Sequence, residues 1–189
     1  MQYRYATEAD APAMAALFAA NHHDALTPEQ RADQGFVQGS LDEGALRAMA
    51  AHGGLLLADD DGQLAGLLAL SAPESLPAPP PPVRALLAAQ DTLRWQGRPL
   101  RAVRWLLYGP LVVDAAHRGQ GVARRLFTMA CGAADGRADA LVAFIEAANR
   151  PSWRVHVDGF GMTPLGEVVV GERVYHVVAV APRAKAPGR

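Results

Sequence analysis

The chain has 189 residues, half of them apolar, with 18 basic against 19 acidic side chains and a formal charge of −1 at pH 7. That suffices for one sizeable core but not for two comfortable domains, and nothing in the even charge balance suggests a nucleic-acid-binding surface. No apolar run approaches membrane-spanning length, the start Met1-Gln2-Tyr3-Arg4-Tyr5 has no apolar signal core, and the lone Cys131 permits no intramolecular disulfide; a cytoplasmic chain with neither membrane nor nucleic-acid partner is expected.

In chain order, Gln2 to Ala6 reads as a first strand. Thr7 then opens a helix with Glu8 and Asp10 in its first turn and Met14, Leu17 and Phe18 on one face. Thr27-Pro28-Glu29 caps and starts a second short helix, and a third runs from about Leu41 to Ala51 before Gly53-Gly54. Leu55 to Asp59, the turn Asp60-Asp61-Gly62 and Gln63 to Ser71 form a hairpin, giving the second and third strands. Residues 72–100 interrupt this pattern: Leu76-Pro77-Ala78-Pro79-Pro80-Pro81-Pro82 precedes a helical run from Val83 to Arg94. Consecutive prolines suit neither a helix interior nor a sheet, so this insertion reads as a solvent-exposed connector, with a substrate-contacting lid as the alternative.

Ala102 to Val113 is the fourth strand, interrupted at Gly109-Pro110. It runs into Leu111-Val112-Val113-Asp114-Ala115-Ala116-His117-Arg118-Gly119-Gln120-Gly121-Val122-Ala123-Arg124, which reads as strand, glycine-bearing turn and helix start. Gly119 and Gly121 let backbone approach a ligand, the helix opening presents free N–H groups, and Arg118 adds a fork of cationic donors. An anion is the expected guest, with Arg124 as a further cation beside it. No Gly-Lys-Ser/Thr follows, so a mononucleotide P-loop is excluded, and the dinucleotide fingerprint fails where Arg124 replaces a small residue.

Val122, Leu126, Met129, Ala130 and Ala133 share the inner face of the ensuing helix, where Cys131 reads as a small buried hydrophobe. Ala138 to Ile145 is the fifth strand, ending at Glu146. A short helix occupies Asn149 to Phe160, and Glu167 to Val170, Gly171 and Arg173 to Val180 close the chain as a hairpin, followed by a tail, 181–189, expected to be disordered.

Arg118-x-x-Gly121-x-Ala123, preceded by Leu-Val-Val-Asp, resembles the acetyl-CoA-binding motif of the GNAT (Gcn5-related) N-acetyltransferase superfamily. The segment Asn149-Arg150-Pro151-Ser152-Trp153-Arg154-Val155-His156-Val157-Asp158-Gly159-Phe160 is similar to that family's second signature. It departs from it in two ways: His156 stands where many members carry a Tyr thought to protonate the leaving thiolate, and Gly-Phe arrives one residue early. The resemblance implies an α/β (α+β) fold, with a central mixed, mostly antiparallel sheet of about seven strands, splayed at strands four and five and flanked by about four helices. It implies one acetyltransferase domain over residues 1–180, with acetyl-CoA as acyl donor and an amine as acceptor.

Carried onto this chain, the resemblance places Arg118, Gly119, Gln120, Gly121, Val122, Ala123 and Arg124 at the pyrophosphate, the backbone of Leu111, Val112 and Val113 along the pantetheine arm and at the thioester carbonyl, and Asn149 and Ser152 also at the cofactor. His156 or water is then the acid, since an imidazolium can protonate a thiolate. Glu146 is the first candidate base, with Tyr108 a weaker one and a simple ion pair of Glu146 with Arg150 an equal alternative. The resulting function is transfer of an acetyl group to a primary amine by direct attack; the competing reading is a noncatalytic acyl-CoA-binding or regulatory module. No metal is implied: adjacent His22 and His23 splay apart, with Asp24 beside them and no third ligand. Ser152, His156 and Asp158 lack the nucleophile elbow of a hydrolase. The acceptor amine stays open, as does the choice between monomer and homodimer.

Overall fold

The computed structural model describes residues 1–39, 41–76 and 78–182; residues 183–189 of the expected tail lie outside the described residues. Seven strands form one sheet in the order β1-β2-β3-β6-β7-β9-β8, and a two-stranded ribbon, β4-β5, stands apart. The chain clusters into two compact units, one from Met1–Leu70 with Gly109–Ala130, the other from Ser71–Tyr108 with Cys131 onward.

In the first unit, β1 (Gln2–Tyr5) lies antiparallel to β2 (Leu55–Asp60), which returns as β3 (Gln63–Ser71). The turn sits where Asp-Gly placed it: Asp61 and Gly62 both take positive φ, 51° and 90°, which twists the two strands together. Leu55, Leu56, Leu57 and Ala58 are all buried because both faces of β2 are covered. One face meets α1 (Ala11–Ala20) and α3 (Glu43–Ala51) through Met14, Leu17, Phe18, Leu46 and Ala50. Between these helices lies α2 (Pro28–Gln34), started by a reciprocal Thr27–Gln30 capping box with Pro28 in its first turn. On the other face Gly66 of β3 admits α5 (Val122–Ala134): a Cβ at Gly66 would meet Val122 Cγ1 at 3.0 Å and Leu126 Cδ1 at 3.2 Å.

The second unit holds the first half of β6 (Trp105–Val113), β7 (Ala140–Glu146), β8 (Thr163–Val170) and β9 (Arg173–Val180). β7–β9 and β8–β9 are antiparallel; β6–β7 is parallel and paired only from Trp105↔Ala140 to Leu107↔Val142, which is the splay expected of the fourth and fifth sequence strands. α6 (Arg150–Trp153) continues directly into a π-helical turn, Arg154–Gly159.

Four expectations are corrected here. The insertion is no exposed connector: Val83, Leu86 and Leu100 are fully buried, and Leu93 and Trp95 join them in the core with Val168, Tyr175 and Val177. Its helix, α4, spans Pro81–Ala88 rather than Val83 to Arg94; Pro81 and Pro82 occupy the first helical positions, where no N–H bond is forfeited. The chain then turns through β4 (Arg94–Trp95) and β5 (Arg98–Pro99). The fourth sequence strand starts at Trp105, after a 3₁₀ turn at Leu100–Ala102, and runs unbroken through Gly109, whose φ of 108° absorbs the irregularity. Among the described residues there are six α-helices against about four expected, α2 and α6 being only seven and four residues long. None is long and apolar enough to cross a membrane.

Candidate functional site

The glycine turn lies wholly in the first unit. Asp114 Oδ2 accepts from Ala116 N at 2.9 Å and so caps the 3₁₀ turn Ala115–His117, after which Arg118 extends (φ −69°, ψ 155°). Gly119 and Gly121 both sit at positive φ, 72° and 81°, and a Cβ at either would meet nothing within 4 Å. The glycines are therefore needed for backbone shape and leave open space beside it. Arg125 N donates to Gly121 O at 3.0 Å in the first turn of α5, and the N–H groups that open a helix precede any carbonyl of its own at the i−4 position. Among the turn's side chains, Gln120 folds back to donate to Ala116 O at 2.9 Å, Val122 is buried, and Arg124 is exposed. A concave run of N–H groups at a helix start binds an anionic oxygen cluster without help from side chains.

Arg118 departs from its expected place. Its fork is turned into the protein: Nη2 donates to Asn21 Oδ1 at 2.6 Å, Nη1 to Gln34 Oε1, and Nε to Val113 O at 3.3 Å. Burial of the guanidinium pulls its pKa below the ordinary arginine value, opposed by the more distant Asp114 and Asp33. The fork, expected to meet phosphate, is engaged by acceptors within the protein. Sequence reading missed Asn21 and Gln34, which stand 97 and 84 residues from Arg118.

The three strand residues before the turn are not equivalent. Asp114 N donates to Ala65 O, and Val112 O sits 3.0 Å from where a Gly66 Cβ would be, so the backbone groups of Val112 face β3. Strand alternation turns those of Leu111 and Val113 to the opposite edge. Val112, expected to pair with a ligand, is thus committed to the sheet, and Val113 keeps its N–H for that edge while its carbonyl takes Arg118.

In the second unit, Asn149 caps α6, its Oδ1 accepting from Ser152 N at 3.3 Å, and is buried. His156 is also buried, with edge-on ring contacts to Tyr108 and Phe160, each at 5.5 Å. Its Nδ1 is 2.8 Å from Ser152 O and 3.2 Å from Ser152 Oγ. A carbonyl only accepts, so Nδ1 carries the proton and Nε2 of the neutral ring is bare. Desolvation lowers the pKa of His156, which keeps the ring neutral. This corrects the imidazolium expected to protonate a thiolate, and it leaves Nδ1 unable to take a proton from Ser152.

Tyr108 is likewise unsuited to its expected part as a base. Burial, and then the neighbouring Cys131, push its phenol well above the usual value, so it stays protonated. Glu146 closes β7 with its side chain 13 % exposed and Oε2 buried with no hydrogen-bond partner among the described residues; its ionic neighbour is Arg173 Nη1, 3.8 Å away, in place of Arg150. His23 Nδ1 bonds Asp24 Oδ1 at 2.9 Å, and among the described residues no group of three or more His, Cys, Asp or Glu side chains could hold a metal ion.

Residues 18–162 match the model of the acetyltransferase (GNAT) family. No curated protein sequence matches the chain significantly. Among solved structures, yncA from Salmonella typhimurium, with its cofactor acetyl-CoA, is 19 % identical with a TM-score of 0.63, covering 100 % of this chain and 98 % of that one. A ribosomal-protein-alanine N-acetyltransferase from Brucella melitensis is 21 % identical with a TM-score of 0.62 over 96 % and 99 % of the two chains. An N-acetyltransferase from Staphylococcus aureus Mu50 is 18 % identical with a TM-score of 0.61 over 96 % and 98 %.

Proposed function

Because the chain belongs to the acetyltransferase (GNAT) family, we propose that it transfers the acetyl group of acetyl-CoA to a primary amine by direct attack, with residues 1–180 as its one catalytic domain. The observation that carries this reading is the pair of open, positive-φ glycines at the start of α5, which fits a pyrophosphate held by backbone N–H groups. Acetyl-CoA supplies an activated thioester when bound. Gly119, Gln120, Gly121, Val122 and Ala123 hold its pyrophosphate through main-chain N–H groups, and exposed Arg124 adds positive charge. Leu111 and Val113 offer main-chain groups at an unshared strand edge, the means by which an extended arm adds to a sheet.

An alkylammonium cannot attack a thioester, so the acceptor must first lose a proton; the Glu146 carboxylate takes it. The nitrogen lone pair then forms the amide bond to the acetyl carbon as the carbon–sulfur bond breaks, and the proton that the nitrogen gives up passes through water to the departing thiolate, whose ordinary pKa near 8.5 demands little of its acid. His156, neutral and tied to Ser152, braces Tyr108 and the turn after α6.

The test pairs binding with turnover. Calorimetry should show acetyl-CoA binding by the native chain and its loss in Gly121→Glu, which sets bulk and negative charge in the turn. A panel of alkylamines, polyamines, amino acids and peptide amino termini should yield release of CoA thiol with at least one acceptor. Unchanged affinity in Gly121→Glu, or tight binding with no turnover on any amine, overturns the proposal.

A further inference from the structure

Arg118 is a partly buried cation whose described hydrogen-bond partners are all neutral. Asn21 and Gln34 supply amide oxygens and Val113 a carbonyl, while among the described residues no carboxylate comes within ion-pair distance, Asp114 and Asp33 acting on the guanidinium from further away. A cation partly withdrawn from water and engaged by the protein is commonly matched with a carboxylate. The exception is built in: Asn21 is buried, and its Nδ2 donates to Leu17 O at 2.9 Å, which fixes the amide so that its oxygen faces Arg118. Both amides therefore orient the guanidinium without cancelling its charge, and that charge belongs to the residue immediately before Gly119.

We infer that Asn21 and Gln34 are positioning residues that hold Arg118 as a positive charge without an ion pair for the donor's pyrophosphate, an inference that rests on the acetyl-CoA reading above. The effect is one of field, since the fork itself is occupied. A carboxylate in place of either amide would keep the hydrogen bond to Arg118, form an ion pair and cancel the field at the turn.

Gln34→Glu in the full chain is the test, with Asn21→Asp as the independent second variant should the first fail to fold. The probes are acetyl-CoA and S-acetyl-pantetheine, which lacks the pyrophosphate. The inference expects KM for acetyl-CoA to rise about fivefold or more, with a shallower dependence on salt, while kcat and the KM for S-acetyl-pantetheine stay within about twofold of the native values. Thermal stability of Gln34→Glu should hold or rise, whereas Asn21→Asp also forfeits the donation to Leu17 O and should melt lower. Unchanged KM for acetyl-CoA, or equal losses on both donors, overturns it. Failure of the native chain to bind acetyl-CoA would instead remove the proposed function beneath it, so the two failures are distinguishable.

Discussion

Nδ1 of His156 lies 2.8 Å from the carbonyl oxygen of Ser152, so the ring's proton is pinned to that nitrogen. Burial depresses its pKa from an ordinary 6.5, and the unfolded chain therefore binds more protons than the folded one as pH falls below that value. The stability that this supplies is complete above about pH 6.5 and is lost as pH drops toward the folded pKa. His156→Asn keeps an N–H for Ser152 but does not titrate. Urea midpoints at pH 7.5, 6.5 and 5.5 should fall steadily for the native chain and more gently for the variant; parallel slopes would show that His156 is not held neutral.

Cys131 is 3 % exposed, and burial pushes its thiol up to about 11. Since the thiolate is the reactive form, an aromatic disulfide reagent at pH 8 should leave the native chain unlabelled and titrate one thiol on unfolding in guanidinium. Rapid labelling of the native chain would contradict the burial and, with it, the packing of the end of α5.

What could be read from sequence was what the backbone settles locally. Gly119 and Gly121 announce their positive φ by being glycine, Asp61-Gly62 announces its turn, and Val122 and Leu126 share a helix face by spacing alone. The insertion misled because its prolines resemble a linker, whereas Val83 and Leu86, three residues apart, already marked one buried stripe on α4. Arg118 was readable as a cation but not in its direction, which is set by Asn21 and Gln34, 97 and 84 residues away in sequence. The protonation of His156 was equally hidden, because it depends on which carbonyl α6 and the following turn bring to Nδ1.

Gly66 is the tightest contact beneath the turn. A Cβ there would stand 3.0 Å from Val112 O, 3.0 Å from Val122 Cγ1 and 3.2 Å from Leu126 Cδ1, so Gly66→Ala must push β6 or α5 outward. Overpacking of this kind costs about 1–3 kcal/mol. Urea unfolding should report a loss in that range, with weaker acetyl-CoA binding as the start of α5 moves; a neutral substitution would mean that α5 packs more loosely on β3.

Glu146 carries the most direct consequence for catalysis. Its Oε2 is buried without a hydrogen-bond partner among the described residues, and Arg173 at 3.8 Å is too far to satisfy it, so a donor brought by the acceptor amine would complete the site. Glu146→Gln preserves shape and removes the basic oxygen. The variant should lose about 10²-fold or more in kcat with an acceptor that turns over, while KM for acetyl-CoA stays unchanged, because the pyrophosphate contacts are untouched. Below the amine's own pKa, near 10.4 for an alkylamine, the free-amine fraction rises tenfold per pH unit, so the deficit should narrow as pH is raised from 7 to 9. A deficit constant across that range would assign Glu146 to holding the ammonium rather than to removing its proton, and full activity would take it out of the reaction altogether.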